Sequence, residues 1–344
     1  MYFDTNDFVN ALYKKENRSV EISKLTNFDW RIFLSAAALL FSSFIGFDSI
    51  AQAGSEAKNP SKTLPKEAWN AKSLREIRKA MVRGDKLEVC NKCWFQEDTG
   101  KDSYRHRHNN EWTRRLGEQE ILRRVKETEE NDGYLSTPPD YLDLRLGNLC
   151  NLKCRMCNVF NSNQIEKEHF DLRSNNRYVD MWAKQWPLTS PDGDSIPMEW
   201  VEAPEFWEQL NRYIPDLKKV YFTGGEPTLL QSTYDFMQEM VDKGVQDKVD
   251  LMFNTNCTNA QPRFLKMLSK FKSVQIQASI DGTKLVNDYI RAPSHWETIK
   301  KNFMALGELP NVKLNTFVFA RSIVTLAAPT VTDSTLLLCA LAYV

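Results

Sequence analysis

Three cysteines within eight residues constrain this chain more than any other feature. Cys150, Cys154 and Cys157 stand at CxxxCxxC spacing, directly after a run of alternating apolar residues. Three thiolates on one short loop can hold three irons of a cubane iron–sulfur cluster, which leaves the fourth iron open for a ligand that is not protein. Zinc sites favour paired CxxC ligands, and disulfide frameworks favour an even cysteine count in small secreted domains, so both alternatives fit the triplet less well.

From Tyr141 onward, apolar runs of strand length alternate with helical patterns, which is typical of parallel βα units. The sequence therefore predicts an α/β fold that binds ligands where the carboxyl ends of strands meet helix N-termini. The predicted strands are Tyr141–Leu146, Leu217–Thr223, Val249–Asn254, Ser273–Ile280 and Val312–Phe319. The predicted helices between them are Leu229–Lys243, Pro262–Phe271 and Ser294–Leu306, the last capped by Ser294 with Glu297.

The chain upstream of these strands is helical in character and carries a second cysteine pair. A helix from Ser73 leads to Cys90 and Cys93, and a second helical stretch runs from Glu111 to Glu130. Arginines and glutamates are interleaved in this stretch, which indicates a solvated helix face rather than a track for phosphates.

The balance of charge excludes two classes of partner. Forty-five basic residues cancel forty-five acidic ones, so no net field attracts nucleic acid or an anionic membrane surface. The sixteen uncharged residues Ile32–Phe47 are short for a membrane span. Ala51-Gln-Ala53 mimics a signal-peptide cleavage site, but the thirty-one residues before the apolar run are long for a signal n-region. We therefore favour a buried segment over export and expect a cytoplasmic protein.

Four further motifs follow the cysteine triplet. They are Thr223-Gly-Gly-Glu-Pro-Thr228, Asn254-Thr-Asn256, Ser279-Ile-Asp-Gly282, and Asp288-Tyr-Ile-Arg291 with Trp296. With the triplet, they resemble the motifs of radical S-adenosylmethionine (SAM) enzymes, whose cluster loop is CxxxCxΦC, and the last motif resembles the Twitch and SPASM branch of that family. The resemblance implies a partial parallel (β/α) barrel of about five to six units, with a smaller N-terminal α-rich module.

The resemblance assigns a task to each matching residue. It implies a 4Fe–4S cluster on the three cysteines and SAM chelating the open iron through its amino and carboxylate groups. Glu226 offers a carboxylate to the SAM ammonium group, and Arg291 offers a guanidinium to the SAM carboxylate. The other implied cofactor contacts are close backbone approach at Gly224 and Gly225, a turn fixed by Pro227, ribose or adenine contacts from Thr255, Asn256, Ser279 and Asp281, and an apolar contact from Met156, which stands at the Φ position.

Cys90 and Cys93 resemble part of a Twitch module. The residues after them match the stretch CxxCxxxExxGxxSxR, which closes an auxiliary-cluster module, at Glu97, Gly100, Ser103 and Arg105. Two cysteines cannot complete a cluster, and no cysteine precedes Cys90 in this sequence, so an auxiliary iron–sulfur cluster stays an open alternative. A zinc site with His106 and His108 is another, although one residue between the histidines is short for finger spacing.

These observations divide the chain and define its expected function. The predicted divisions are an unassigned segment 1–70, a partial Twitch-like cysteine module 71–135, a radical SAM core 136–320 and an atypical C-terminal tail 321–344. Cys257 and Cys339 stand alone, and we interpret each as a small buried hydrophobe.

The resemblance implies reductive cleavage of SAM to a 5′-deoxyadenosyl radical for hydrogen abstraction from a peptide or protein side chain, with flavodoxin or ferredoxin as the electron donor. Two alternatives stay open. One is a radical SAM enzyme that acts on a small metabolite without an auxiliary cluster, and the other is a non-catalytic interaction module stabilised by metal.

Overall fold

The computed structural model describes residues 69–173 and 201–317 of the chain. They form two compact units, Arg75–Leu135 and a larger unit of residues 69–74, 136–173 and 201–317. The segment 1–68, with the apolar run Ile32–Phe47, lies outside the described residues, as do Cys339 and the tail 321–344. Within the two described ranges, we find no helix that is both long enough and apolar enough to span a bilayer.

The smaller unit is α-rich and contains the upstream cysteine pair. Its helices are most of α1 (Lys72–Val82) and all of α2 (Asn91–Asp98), α3 (Tyr104–Leu116) and α4 (Glu118–Glu130), with a 3₁₀ turn at Glu88–Cys90. The fully buried Arg78 donates to the carbonyl oxygen of Gly133 at 3.0 Å. A Cβ atom at residue 133 would lie 2.5 Å from the carbonyl oxygen of Arg75. The turn after α4 therefore needs glycine in order to pack against α1.

The prediction of a single helix from Glu111 to Glu130 is wrong. Gly117, at φ 81° and ψ 152°, separates α3 from α4, because a residue with a side chain rarely adopts this backbone conformation. α3 also begins earlier than predicted, at Tyr104, where the Ser103 hydroxyl accepts the backbone N–H of His106 at 3.1 Å. The stretch is thus two helices joined at a glycine.

The interleaved charges pair along the surface of α4. Arg123 lies 2.7 Å from Glu120 and 2.9 Å from Glu127. The hydrogen bond from Arg123 outweighs burial and holds the pKa of Glu120 at about 2. The charge of Arg123 is therefore neutralised by glutamates of its own helix.

The larger unit is built on one parallel sheet. In the described part of the chain its strands are β1 (Tyr141–Leu144), β2 (Lys219–Phe222), β3 (Asp250–Thr255), β4 (Ser273–Ser279) and β5 (Val312–Phe317). They lie in the order β1-β2-β3-β4-β5, each parallel to the next strand along the chain. The carboxyl ends of the strands therefore share one edge. The predicted α/β fold, a partial parallel barrel, is confirmed.

Helices alternate with these strands. They are α5 (Asn163–Arg173), α6 (Pro204–Tyr213), α7 (Gln231–Asp242), α8 (Pro262–Leu268), α9 (Leu285–Ile290) and α10 (Trp296–Gly307). A 3₁₀ turn at Pro227–Leu229 precedes α7, so that helix begins two residues later than we predicted. The predicted cap of the last helix by Ser294 and Glu297 is wrong, because the helix begins at Trp296 and its first N–H donates to Asp288 at 3.1 Å.

The core of this unit lies between the sheet and its helices. The inward residues of the central strands are almost fully buried, as continuous apolar runs in a covered parallel sheet require. Phe253 stacks on Phe222 of the neighbouring strand at 4.9 Å between ring centroids and meets Phe264 of α8 edge-on at 5.6 Å. This aromatic group ties β2 and β3 to α8.

Replacing Phe253 with Ala should lower the free energy of unfolding by about 3–5 kcal/mol, because the change removes buried apolar surface and leaves a cavity. Met304→Ala on α10 is the control, since that side chain is 54% exposed and its loss should cost less than about 0.5 kcal/mol. Urea unfolding followed by circular dichroism measures both variants. Equal costs for the two substitutions would contradict the packing described.

Candidate functional site

The cysteine triplet lies on the loop that leaves the carboxyl end of β1. Cys150 and Cys154 are buried and pack around Leu152, and the half-buried Cys157 packs against the same group. One loop therefore gathers all three thiols into a single cluster of side chains.

Hydrogen bonds hold the backbone of this loop on two sides. On one side, the Cys150 N–H donates to the Asn163 side chain at the start of α5, at 3.0 Å. On the other side, the N–H groups of Lys153 and Arg155 donate to the carbonyl oxygens of Ala292 and Ile290, at 2.6 and 2.9 Å. The loop is irregular, yet its backbone groups find partners as buried backbone requires.

The two glycines after β2 allow the chain to approach the cysteine loop closely. Gly224 has a φ of 103°, and a Cβ atom there would lie 2.7 Å from the carbonyl oxygen of Gly147. A Cβ atom at Gly225 would lie 2.3 Å from the carbonyl oxygen of Leu149, the residue before Cys150. The backbone N–H groups of Gly225 and Glu226 donate to Gly147 and Leu149 at 3.0 and 2.8 Å. Both positions therefore require glycine.

Glu226 is 1% exposed, and its carboxylate accepts hydrogen bonds from the protein groups that surround it. One oxygen accepts the hydroxyls of Thr228 and Thr255, both at 2.7 Å, and the other accepts the Asn256 N–H at 2.7 Å. Burial raises the pKa of Glu226, and these bonds oppose that rise. In the structure, the carboxylate links the end of β2 to the end of β3.

The side chain of Asn256 points from the end of β3 to the cysteine loop. Its Nδ2 lies 3.8 Å from the sulfur of Cys150 and 3.0 Å from the Asn151 side-chain oxygen. Its Oδ1 accepts the N–H and the hydroxyl of Thr258 at 2.9 and 2.6 Å. Asn256 is therefore a neighbour of the triplet.

A buried ion pair lies beside the triplet, formed by Asp281 after β4 and Arg291 after α9. Arg291 lies 2.7 Å from the fully buried Asp281, and its Nη1 lies 3.7 Å from the sulfur of Cys154. Ser279 is the last residue of β4 and is half-buried. Met156, between Cys154 and Cys157, is 43% exposed. The structure thus places the predicted β4 residues and Arg291 on the same side of the sheet as the cysteines.

Asp288, the first residue of the motif that ends at Arg291, has a structural role. Its carboxylate accepts the Ser294 hydroxyl at 2.9 Å and the first N–H of α10, from Trp296, at 3.1 Å. Asn287 donates to the same hydroxyl at 3.3 Å and accepts the Asp281 N–H at 3.2 Å. These contacts fix the segment against which the cysteine loop lies.

Burial raises the pKa of all three thiols. The pKa of Cys150 rises to about 11, and those of Cys154 and Cys157 rise above the ordinary value. At Cys154 the Arg291 guanidinium opposes this effect. The thiols are therefore protonated at neutral pH, and metal binding has to displace their protons because the thiolate is the ligand form.

The thiols fit a cluster better than a single metal ion. Within residues 69–173 and 201–317, no three His, Cys, Asp or Glu side chains are arranged around one ion. Zinc needs its donors about 2.0–2.3 Å from one centre, whereas three cysteines of a cubane bind three different irons. The packing of the cysteines around Leu152, with N–H groups directed at the sulfurs of Cys150 and Cys154, suits a 4Fe–4S cluster on Cys150, Cys154 and Cys157.

A cavity of about 260 Å³ lies beside this site. It opens between the loop after β3 and the first half of α10, and its lining is mostly amide and hydroxyl side chains, Asn151 among them. None of the predicted cofactor residues lines it. The cavity is therefore a neighbour of the predicted site rather than part of it.

In the smaller unit, Cys90 is buried at the end of the 3₁₀ turn and Cys93 is half-buried in α2. Glu97 accepts the Ser103 hydroxyl at 2.5 Å and pairs with the buried Arg105, whose guanidinium lies 4.4 Å from the Trp94 ring centre. Burial raises the pKa of Glu97, but the bonds from Arg105 and Ser103 outweigh it and leave that pKa below its ordinary value.

Three of the motif residues of this arm, Glu97, Ser103 and Arg105, thus bond to one another. His106 lies 3.6 Å from Glu97, and His108 stacks on Tyr104. The alternative zinc site with these histidines is not formed in the described residues.

The sequence patterns did not identify several residues that hold the site. Asn163 and Asn287 make the contacts above, and Asn148 donates to Glu166 at 2.7 Å beside the loop. Ser162 donates to the Leu152 carbonyl oxygen at 2.8 Å. Asn148, Ser162 and Asn163 each contact a residue ten or more positions away, and Asn287 bonds to residues outside its own helix, so no local signal marks them.

The radical SAM superfamily model matches residues 144–321, just over half of the chain. The chain therefore belongs to the radical SAM superfamily, whose members use a 4Fe–4S cluster and SAM. No curated protein sequence matches it.

Two solved structures show the extent of similarity. The structure of native anSMEcpe with bound AdoMet is 19% identical, with a TM-score of 0.35 over 52% of this chain and 43% of that chain. Streptococcus suis SuiB bound to precursor peptide SuiA is 14% identical, with a TM-score of 0.37 over 74% of this chain and 52% of that chain. This chain thus spans less than two thirds of the length of either.

Gly225→Ala should disturb the cysteine loop, because the new methyl group would meet the Leu149 carbonyl oxygen. We expect a loss of about 1–3 kcal/mol in unfolding free energy, as for other overpacked sites. Gly307→Ala is the matched control, since its Cβ meets only a movable methyl group of Leu314. Thermal unfolding compares the two variants, and an unchanged stability for Gly225→Ala would contradict the close approach.

Proposed function

We propose that this chain is a radical SAM enzyme that holds a 4Fe–4S cluster on Cys150, Cys154 and Cys157. The observation that carries the proposal is the packing of three thiols at the carboxyl end of β1, next to the glycine turn after β2. When bound, such a cluster supplies the electron that cleaves SAM reductively to a 5′-deoxyadenosyl radical, which abstracts hydrogen from a substrate.

The protein groups around the thiols orient and shield this cofactor pair. We propose that SAM lies against the carboxyl ends of β2, β3 and β4. Arg291 offers a guanidinium 3.7 Å from the Cys154 sulfur, held in place by Asp281, and suits the SAM carboxylate. The full proposed set is Met156, Gly224, Gly225, Glu226, Pro227, Thr255, Asn256, Ser279, Asp281 and Arg291.

The glycine turn supports SAM binding in a second way. With no side chains at Gly224 and Gly225, the backbone packs directly against the cysteine loop and brings Glu226 and Pro227 beside the triplet. Glu226 already has protein donors on both carboxylate oxygens. A contact with the SAM ammonium group would therefore add to these bonds.

For the substrate, we propose a peptide or protein side chain. The proposal rests on the sequence resemblance of Cys90–Arg105 and Asp288–Arg291 to the Twitch and SPASM branch. A flavodoxin or ferredoxin is the proposed electron donor, and the balanced charge favours neither nucleic acid nor a membrane as partner. We propose a cytoplasmic location because thiolate clusters persist in reducing compartments.

One observation favours a second candidate, a radical SAM enzyme for a small metabolite without an auxiliary cluster. The arm at Cys90 and Cys93 provides two thiols, where an auxiliary 4Fe–4S cluster needs four cysteines. The buried ion pair of Glu97 and Arg105 stabilises that arm. A non-catalytic, metal-stabilised module is the third reading, and the following experiments separate the three.

Anaerobic reconstitution should give a brown protein that binds about four irons per chain and cleaves SAM when reduced. Replacing Cys150, Cys154 and Cys157 with Ala should abolish colour, iron and cleavage, because all three ligands to the cluster are removed. Cys257→Ala is the control, since that buried cysteine lies outside the triplet. A triple variant with a full-strength cluster would disprove the assignment, and a cluster without SAM cleavage would favour the non-catalytic module.

The double variant Cys90→Ala, Cys93→Ala should keep SAM cleavage and its iron content, because radical generation needs only the triplet. Iron is counted against the wild type after identical reconstitution. A loss of about four irons would show that other ligands complete an auxiliary cluster at this pair, and would favour the Twitch-type peptide enzyme over the small-metabolite enzyme.

A further inference from the structure

Three N–H groups point at sulfurs of the triplet. One is the backbone N–H of Leu152, 3.5 Å from Cys150 Sγ, and the other two belong to side chains. Nδ2 of Asn256 lies 3.8 Å from Cys150 Sγ, and Nη1 of Arg291 lies 3.7 Å from Cys154 Sγ. Both lengths suit N–H···S contacts to neutral thiols, and such bonds shorten when the acceptor becomes an anion. Arg291 also pairs with Asp281 and is proposed for SAM, so Asn256 offers the simpler case.

We infer that the Asn256 amide donates a hydrogen bond to the Cys150 thiolate that raises the reduction potential of the cluster, and that Glu226 is the positioning residue that holds Asn256 there. The inference rests on the proposed function, since it assumes a cluster on the triplet. It gives Asn256 a role distinct from ribose or adenine contact.

The orientation of the amide is determined by its other end. Oδ1 of Asn256 accepts both the N–H and the hydroxyl of Thr258. An N–H group cannot occupy that place, because it would face another donor. Nδ2 must therefore face Asn151 Oδ1 and Cys150 Sγ. With 7% of Asn256 exposed, water competes little for the contact.

Glu226 sets the position of both partners of this contact. Its carboxylate accepts the backbone N–H of Asn256 at 2.7 Å, and its own N–H donates to Leu149, the residue before Cys150, at 2.8 Å. A single residue thus connects the backbone beside the donor with the backbone beside the acceptor. A shift of Glu226 would change the distance between Nδ2 and the sulfur.

The direction of the effect follows from charge. Reduction adds an electron to the cluster and its thiolates, and an N–H donor stabilises the more negative state. Removing the donor should therefore make the cluster harder to reduce. If the equilibrium constant for reduction of the cluster falls about tenfold, the midpoint potential falls by about 59 mV, as for any one-electron couple.

The test compares midpoint potentials of reconstituted protein without SAM, by redox titration followed by electron paramagnetic resonance. Asn256→Asp keeps the acceptor for Thr258 and loses the donor, and Asn256→Ala loses both without adding charge. Both should lower the potential, and Glu226→Asp should shift it in the same direction, because it keeps the carboxylate but the shorter side chain draws that group away from the Asn256 N–H. Asn311→Ala is the control, since its amide donates to Leu268 and Phe271, remote from the sulfurs, and its potential should match the wild type.

An unchanged potential in Asn256→Ala that still binds about four irons would overturn the inference and leave the proposed function standing. A wild type without a cluster would instead overturn the proposed function. If the Asn256 variants do not fold, protein labelled with ¹⁵N only in the side-chain amide of asparagine decides, in an Asn151→Asp background. The backbone nitrogens of Asn151 and Asn158 beside the cysteines then carry no label. Pulsed paramagnetic resonance of the reduced cluster should then show a weakly coupled ¹⁵N nucleus, and its absence would contradict the hydrogen bond.

Discussion

A buried carboxylate needs donors for both of its oxygens, and Glu226 obtains them from the ends of two neighbouring strands. In a parallel sheet the carboxyl ends lie side by side, so one short acidic side chain can reach both. The same residue bonds through its backbone to the cysteine loop after β1. Three consecutive strand ends are thus held together around a single residue, and the glycines before it make the approach sterically possible.

The sequence predicts the elements of the fold well because their signals are local. Alternating apolar runs place β1 to β5 within a few residues of their observed bounds, and Pro262 marks the start of α8. The CxxxCxxC spacing and the glycine turn identify the family, and the family match confirms it. Cys257, interpreted as a small buried hydrophobe, is fully buried.

The failures have different causes, one local and the others non-local. The charge pattern from Glu111 to Glu130 continues across Gly117, so nothing periodic reveals that the backbone turns there. Ser294 and Glu297 match a capping box, but the N-terminus of α10 takes Asp288 from the preceding helix instead. For polar residues at strand ends, residue type alone leaves several partners open. Tertiary contacts decide among these, and the sequence spacing of Asn256 from Cys150 carries no trace of their proximity.

The cysteine loop has no regular secondary structure, yet hydrogen bonds join its main chain to Asn163, Ile290 and Ala292. These contacts, with the first residue of α5 and with the end of α9 and the segment after it, offset the conformational entropy of ordering the loop. The arrangement of the three thiols therefore depends on helices that contribute no sulfur to it. A change in either helix would reach the site without altering any cysteine.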